Sequence, residues 1–478
     1  MHLHLMKKIL LINSNIEIMP YPVAPLGIAM VASSLKDEFD VKLFDFAFNS
    51  TENLIHATRD FNTDFIGIGL RNIDNVTMRK VKWYIEEIRQ QIVLPLQQNF
   101  SIPIIIGGSG FSISPIELLN FFNLEYGIVG EGETTFKEFL KRYFSATGFS
   151  DLENLITKEK IQKGVFNPAK GELLVPHANI DLFIDYNPYV YRSSYPVQTK
   201  RGCIFKCIYC SYPTIEGHYY RLRSITDIVN EIEEVQQRIP GVTFEIVDST
   251  FNSPLKHAIA FCDEIISRGL KIKLRTMGVN PGDVTEELIE KMRLAGFTQI
   301  DCTPETGSGQ LLKRLRKNFN LNRLVRCAEL IRKHDMPTMW FFMFGLPGET
   351  EQTINETFDF IDKHISSNDM VHVTEGIRII PKTELYNIAK AEGEITGSES
   401  VIDPMFYVSP TIGREKLTEI LAKKVDERLN VINSINSSPS PELMKEAIKY
   451  RQENRIDEPM FRTLLKLDRQ AHNKKKGL

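Results

Sequence analysis

The sequence predicts an α/β protein: an N-terminal doubly wound parallel sheet, then an open partial barrel of six βα units, then a C-terminal helical segment. Three observations lead there. Apolar strand runs alternate with amphipathic helices through the first 145 residues. The rhythm stops, then resumes at about Val197 for six units. Beyond about Tyr407 only helical periodicity remains.

In the first region, residues 1–145, strands are expected at Lys8–Asn13, Val41–Phe46, Phe65–Leu70, Ile102–Gly107 and Tyr126–Gly130, with helices such as Leu26–Lys36 and Thr77–Gln91 between them. The run IPIIIG at Ile102–Gly107 is apolar throughout, as a strand buried on both faces requires. Five βα units make a doubly wound sheet. Residues 146–195 read as a linker with packed aromatics, richest at Asp185–Tyr191. In residues 196–406 the expected strands are Val197–Arg201, Thr243–Val247, Lys271–Thr276, Phe297–Cys302, Thr338–Phe344 and Val371–Ile380. Six units fall two short of the eightfold barrel. Residues 407–478 read as helical, interrupted at Ser437–Pro441 and ending in a solvated basic tail, Lys474–Lys476.

Composition narrows the function. The 478 residues carry 58 Lys and Arg against 61 Asp and Glu, a net charge of −3. That balance argues against a nucleic-acid coat or a polybasic membrane anchor, which need a positive surplus. The longest uncharged run, Gln90–Ile116, is broken by Gln, Asn, Ser, Pro and Gly, so no membrane span is expected. His2 and His4 fall in a leader before the first strand, and no secretory pattern is read there; a cytoplasmic protein is expected.

Six cysteines in a chain of this length do not form a disulfide framework. Three of them, Cys203, Cys207 and Cys210, lie within RGCIFKCIYC, just after the first expected barrel strand. Three thiolates in C-x3-C-x2-C can hold three irons of a [4Fe–4S] cluster and leave the fourth open. A structural zinc wants four ligands, and the nearest further donor, His218, lies eight residues on. Cys262 and Cys327 fall on expected helices as core thiols, and Cys302 at a strand end.

This triplet, followed by six βα units, resembles the radical S-adenosylmethionine (SAM) superfamily. Later strand ends extend the resemblance in order: EIVDSTFN (Glu245–Asn252), DCTPETGS (Asp301–Ser308), FMFGLPGET (Phe342–Thr350) and RIIPKTELY (Arg378–Tyr386). Barrels of this kind carry their active sites at that face. The resemblance implies a cluster on the catalytic Cys203, Cys207 and Cys210, with SAM on the open iron. It places Tyr209 against the adenine, Asp248 near the SAM amino group, Glu305 at the ribose hydroxyls and Gly345 in a turn approaching the adenine. Asp248 would equally serve as a helix N-cap. Arg275, at the end of the third expected strand, would pair either with the SAM carboxylate or with a carboxylate of the barrel rim.

The N-terminal region has a resemblance of its own. IIGGSG (Ile105–Gly110), Pro115 and YGIVGEGE (Tyr126–Glu133) are similar to the cobalamin-binding Rossmann domain that precedes the barrel in one branch of that superfamily. Gly107, Gly108, Gly130, Glu131 and Gly132 are then the candidate cobalamin contacts; ligand-free βα turns are the alternative. The cobalt-ligating D-x-H-x-x-G motif of many such domains is missing, and the loop Ser14–Pro25 holds no histidine. The lower face of cobalt would meet Asn15–Tyr21 and Arg71–Asn75. Over about residues 8–390 the resemblance implies a cobalamin-dependent radical SAM enzyme of the methyltransferase-like branch. Such an enzyme methylates an unactivated carbon through a 5′-deoxyadenosyl radical and methylcobalamin. A small-molecule or peptide substrate and a ferredoxin- or flavodoxin-type electron donor are implied. The alternatives are cyclisation or rearrangement without net methylation, and a first domain that no longer binds cobalamin. Position alone would put further substrate contacts in the C-terminal helices.

Overall fold

The computed structural model describes residues 6–19, 21–158, 168, 171–190, 192–434 and 439–476. His2 and His4 lie outside them, as do the side chains of Lys474–Lys476. The N-terminal sheet has six strands: β1 (Lys8–Asn13), β2 (Asp40–Asp45), β3 (Phe65–Gly69), β4 (Ile104–Gly107), β5 (Tyr126–Ile128) and β6 (Leu155–Thr157). They lie in the order β2-β1-β3-β4-β5-β6. The first five run parallel. The unbroken apolar run of β1 has a direct cause: Ile9 and Leu11 enter one core while Leu10 and Ile12 enter another. Side chains alternate across a strand, so burial on both faces demands apolar residues at every position. Because β2 and β3 flank β1 on opposite sides, the crevice at the C-terminal ends of β1 and β3 is the topological switch point.

The expected helix Thr77–Gln91 is displaced. Met78–Lys80 forms one 3-10 turn, and the helix starts at Tyr84, widens into a π turn over Arg89–Val93 and continues as Leu94–Asn99. The Asp74 and Asn75 side chains accept from the backbone N–H groups of Val76 and Lys82. Such local bonds compete with helix formation. Pro95, which has no N–H to donate, comes two residues after the π turn. Residues 146–195 add more than a linker. They supply β6, antiparallel to β5, and two single-turn helices, Ile180–Phe183 and Asn187–Val190. Tyr186 stacks on Tyr189 at 5.2 Å, and the Tyr189 hydroxyl donates to Asp45 at 2.7 Å. Tyr191 lies outside the described residues.

The second sheet is built from β7 (Tyr195–Val197), β10 (Thr243–Ile246), β11 (Lys273–Val279), β12 (Phe297–Glu305), β13 (Thr338–Phe344), β14 (Met370–Glu375) and β17 (Val431–Asn433). It is parallel throughout, in the order β17-β14-β13-β12-β11-β10-β7. Two small antiparallel pairs stand apart from it: β8 (Lys200–Arg201) with β9 (Arg221–Leu222), and β15 (Ile377–Arg378) with β16 (Phe406–Tyr407). The first expected barrel strand, Val197–Arg201, is thus two strands, β7 and β8, interrupted at Gln198–Thr199. The sixth, Val371–Ile380, breaks at Gly376 into β14 and β15. On β13, Phe342 and Phe344 pack outward on Phe360 and Phe358 of the helix Glu351–His364, at 6.2 and 5.3 Å. Met339, Phe341 and Met343 alternate with them toward the lumen.

The C-terminal segment is helical, with Arg414–Asp426, Pro441–Asn454 and Met460–Lys476, and it adds β17 to the barrel's open edge. The last helix does not approach the strand ends that carry the motifs. Phe461 and Leu465 pack on Met370, and Arg462 pairs with Asp335 at 2.9 Å and Asp369 at 3.3 Å. Those partners precede β13 and β14, at the opposite, N-terminal end of the strands. That helix therefore covers the end of the barrel opposite the motifs. Among the described residues no helix is long and apolar enough to cross a membrane.

Candidate active site

The cysteine loop leaves β8 at Gly202 and returns through β9. Gly202 has φ +90°, and a Cβ there would lie 2.0 Å from the Tyr219 carbonyl oxygen, so the two limbs cross at a contact only glycine permits. The crossing is tied by Cys203 N–H donating to the Gly217 carbonyl at 3.1 Å. Cys210 N–H donates to the Cys207 carbonyl at 3.2 Å, closing the turn that brings the second and third thiols round. The three thiols lie close enough to perturb one another: burial pushes Cys210 up to about 12, and Cys207 and Cys203 add to it. Yet among the described residues they do not form a group with ligand atoms all within 4.8 Å; only Glu286, Glu290 and His334 do. One zinc bonded to three sulfurs at about 2.3 Å would need them closer. A cubane, which takes each thiolate on a different iron, suits the wider spacing.

Beside this loop stands a buried polar triad. The Tyr209 hydroxyl donates to Glu305 Oε1 at 2.8 Å. Lys317 Nζ donates to the Tyr209 hydroxyl at 3.3 Å, to Glu305 Oε1 at 3.4 Å and to the Thr303 carbonyl at 3.3 Å. Glu305 ends β12 at φ +71°, past a register shift, an unusual backbone for a side chain that must turn toward the cysteines. Its Oε2 accepts no hydrogen bond among the described residues. Burial opposes charge on Lys317, but Glu305 and the cysteines overcome it and raise its pKa. Sequence reading missed Lys317 because it sits in a motif-free stretch after the short helix Gly309–Arg314.

Two expected SAM contacts are committed elsewhere. Asp248 accepts four hydrogen bonds: from Thr199 N–H at 2.7 Å, Thr199 Oγ1 at 2.5 Å, Lys200 N–H at 3.3 Å and Lys200 Nζ at 2.8 Å. A carboxylate has about four lone-pair sites, so none remains for a SAM ammonium. Nor does it cap the next helix, which starts at Leu255 after Pro254. Arg275 lies four residues before the end of β11, which runs on to Val279. It pairs with Glu245 at 2.9 Å, lies over the Tyr21 ring at 5.5 Å and faces Asp301, whose carboxyl burial pushes up to about 6. The ion-pair alternative for Arg275 is the one the geometry fits. Gly345 stays in its expected turn: its N–H and that of Leu346 donate to Glu349, buried at the turn's base with its carboxyl pushed up to about 8 by burial.

In the N-terminal domain, Gly107 ends β4 and Gly108 (φ +103°) begins the turn into the helix Ser109–Ile113. Gly130 N–H donates to Ser112 Oγ at 2.8 Å, and Gly132 precedes the helix Glu133–Phe144. The switch-point crevice is lined by Ser14, Asn15, Ile16, Arg71, Asn72, Tyr84 and Ile88. It contains part of both loops expected below cobalt, at the strand ends where doubly wound sheets bind ligands. Tyr21 instead leaves that loop for the barrel and Arg275. Glu131 is not free to meet cobalamin, because both its oxygens are held by Arg221, Oε2 at 2.9 Å. A methyl group at Gly108 would lie 2.5 Å from the Leu70 carbonyl oxygen. Gly108→Ala is expected to cost about 1–3 kcal/mol of stability and to weaken cobalamin binding. Denaturant unfolding and a cobalamin titration check this, and an unaltered midpoint would contradict it.

Comparison with known proteins matches the two regions that hold these residues. A family model described as the radical SAM superfamily matches residues 197–361, and one described as a B12 binding domain matches residues 16–140. The tryptophan 2-C-methyltransferase of Streptomyces laurentii is 23% identical over 449 residues, spanning 78% of this chain and 72% of that protein. The hopanoid C-2 methylase of Rhodopseudomonas palustris (strain TIE-1) is 22% identical over 384 residues, spanning 79% of this chain and 66% of that one. The radical SAM methyltransferase TsrM from Kitasatospora setae, solved with cobalamin and a [4Fe–4S] cluster bound, superposes with a TM-score of 0.82 at 20% identity, covering 98% of this chain and all of that one. OxsB, solved with aqua-cobalamin and SAM, gives 0.71 at 17% identity, covering 98% and 71%. The two superpositions establish a shared fold.

Proposed function

On the premise that the chain belongs to the radical SAM superfamily and carries a B12-binding domain, we propose that it is a cobalamin-dependent methyltransferase acting on an unactivated carbon of a small molecule. One observation carries the reading: the two cofactor regions meet. The helix Tyr212–Glu216, within the cysteine loop, packs on Ser109–Ile113, the helix that leaves the candidate cobalamin turn. Bound on either side of that seam, the cluster with SAM and the cobalamin would supply the radical and the methyl-transfer chemistry.

The chain's own residues bind and orient. Cys203, Cys207 and Cys210 would hold three irons of the cluster. Glu305 keeps Oε2 open for the SAM ribose hydroxyls while Oε1 stays tied to Tyr209 and Lys317. Lys317 places a positive charge beside the cysteines, and its three donors hold Tyr209, Glu305 and Thr303 in place. Gly345 and Leu346, tied to Glu349, fix the turn against which the adenine would lie. Reduction by a ferredoxin- or flavodoxin-type donor belongs to the same reading.

Protein purified without oxygen from cobalamin-supplied cells is expected to hold about four irons and about one cobalt per chain. With substrate it should release both S-adenosylhomocysteine and 5′-deoxyadenosine. Four irons without cobalt, even after reconstitution, would sink the methyltransferase reading. Glu305→Gln should leave iron content alone and raise the SAM dissociation constant about tenfold, the scale of one hydrogen bond to a charged group. Unchanged SAM affinity in that variant would remove Glu305 from the site.

A further inference from the structure

Two buried arginines and two half-buried carboxylates join the cysteine loop to the B12-binding domain, and neither cofactor accounts for them. Arg201, two residues before Cys203, and Arg221, just past the far end of the loop, face each other across the β8–β9 pair. Both reach into the turn after β5. Arg221 grips both oxygens of Glu131, and Arg201 lies 3.3 Å from Glu131 and 2.6 Å from Glu133. Within the loop, Glu216 accepts from Gly202 N–H at 3.1 Å and from Gln198 at 3.3 Å, while its carbonyl accepts from Arg221 at 3.2 Å. The arginine side chains are 6–8% exposed. Two guanidinium groups and two carboxylates balance in charge. Fork-to-fork pairing of this kind fixes orientation as well as distance.

The placement matters because each end of the clamp sits on a different cofactor region. The arginines bracket the only stretch that carries the three cysteines. Of the carboxylates, Glu131 lies in the turn after Gly130 that bounds the candidate cobalamin site, and Glu133 opens the helix Glu133–Phe144 that follows it. Resting on the two-cofactor reading above, we infer that Arg201 and Arg221 are positioning residues that couple the two sites through Glu131 and Glu133. Ordering the cysteine loop aligns the arginines, and the aligned arginines hold the cobalamin turn. Linkage is reciprocal, so filling either site must tighten the other by the same factor.

The test is a titration of hydroxocobalamin into the full chain, with and without its reconstituted [4Fe–4S] cluster. Cobalamin is expected to bind about tenfold more tightly to the cluster-loaded protein, within the usual range of coupling between sites. In Glu131→Gln, and in Arg221→Lys, which keeps the charge but loses the fork, that ratio should fall toward one while iron content holds. The exchanged pair Glu131→Arg with Arg221→Glu should regain part of it. A purely structural role would weaken both affinities alike and leave the ratio unchanged. A ratio of one in the natural chain, or an undiminished ratio in Glu131→Gln, overturns the coupling and leaves the methyltransferase reading intact. Failure to bind cobalamin in either cluster state overturns that reading, and the coupling with it.

Discussion

Replacing Cys207 with alanine is expected to strip the chain of its iron and to abolish SAM cleavage, a loss exceeding the roughly 10–100-fold typical when only a residue hydrogen-bonded to a metal ligand is removed. Three thiolates are the minimum that fixes a cubane and still leaves one iron open. No replacement ligand is at hand, because the remaining cysteines are engaged in the core: Cys302 lies against Cys327, and Cys262 is buried in its helix. Iron analysis and 5′-deoxyadenosine formation read the effect directly. A variant that kept about four irons and cleaved SAM would show that the triplet is not the cluster site. Cys262→Ala is the control, expected to lose packing but no iron.

Asp248→Asn should be among the most destabilising single changes in the barrel. The carboxylate and the Lys200 ammonium are both 0% exposed and lie 2.8 Å apart. Removing one charge of a buried pair leaves the other uncompensated, which costs about 3–5 kcal/mol. The amide also turns a donor toward one pair of donors: the Thr199 and Lys200 N–H groups that share Oδ1, or the Thr199 hydroxyl and Lys200 ammonium that share Oδ2. Denaturant unfolding of the cofactor-free chain separates the two readings of this residue. A large fall in the midpoint fits the ion pair; unaltered stability with weakened SAM binding would return Asp248 to the SAM site.

What the sequence disclosed follows from the range of the interactions involved. Strands buried on both faces announce themselves locally: Lys8–Asn13 and Thr338–Phe344 are found with the expected boundaries. The C-x3-C-x2-C loop and the strand-end motifs are likewise local, so their order along the chain was readable. Side-chain destinations were not. Asp248 sits in a SAM-like segment, but its partner is a lysine 48 residues earlier. Glu131 lies between two turn glycines, yet its carboxylate leaves the turn for Arg221, 90 residues on. Arg275 appeared to end a strand because β11 continues past it through irregular register to Val279. Lys317 meets Glu305 only through the tertiary fold. β6 and β17, at three residues each, are too short for any periodicity to reveal.

Those short strands leave little edge for another copy of the chain to pair with. An unpaired strand edge is a template for a strand of another molecule. The barrel sheet ends in β7 on one side and β17 on the other, each three residues long, while β12 in its interior has nine. The N-terminal sheet ends in the three-residue β6 and in β2, which turns the exposed charges of Asp40 and Lys42 outward. Neither sheet therefore offers a long, apolar border. Lengthening β17 with apolar β-branched residues would create one, and self-association through added strands would follow before any loss of the fold.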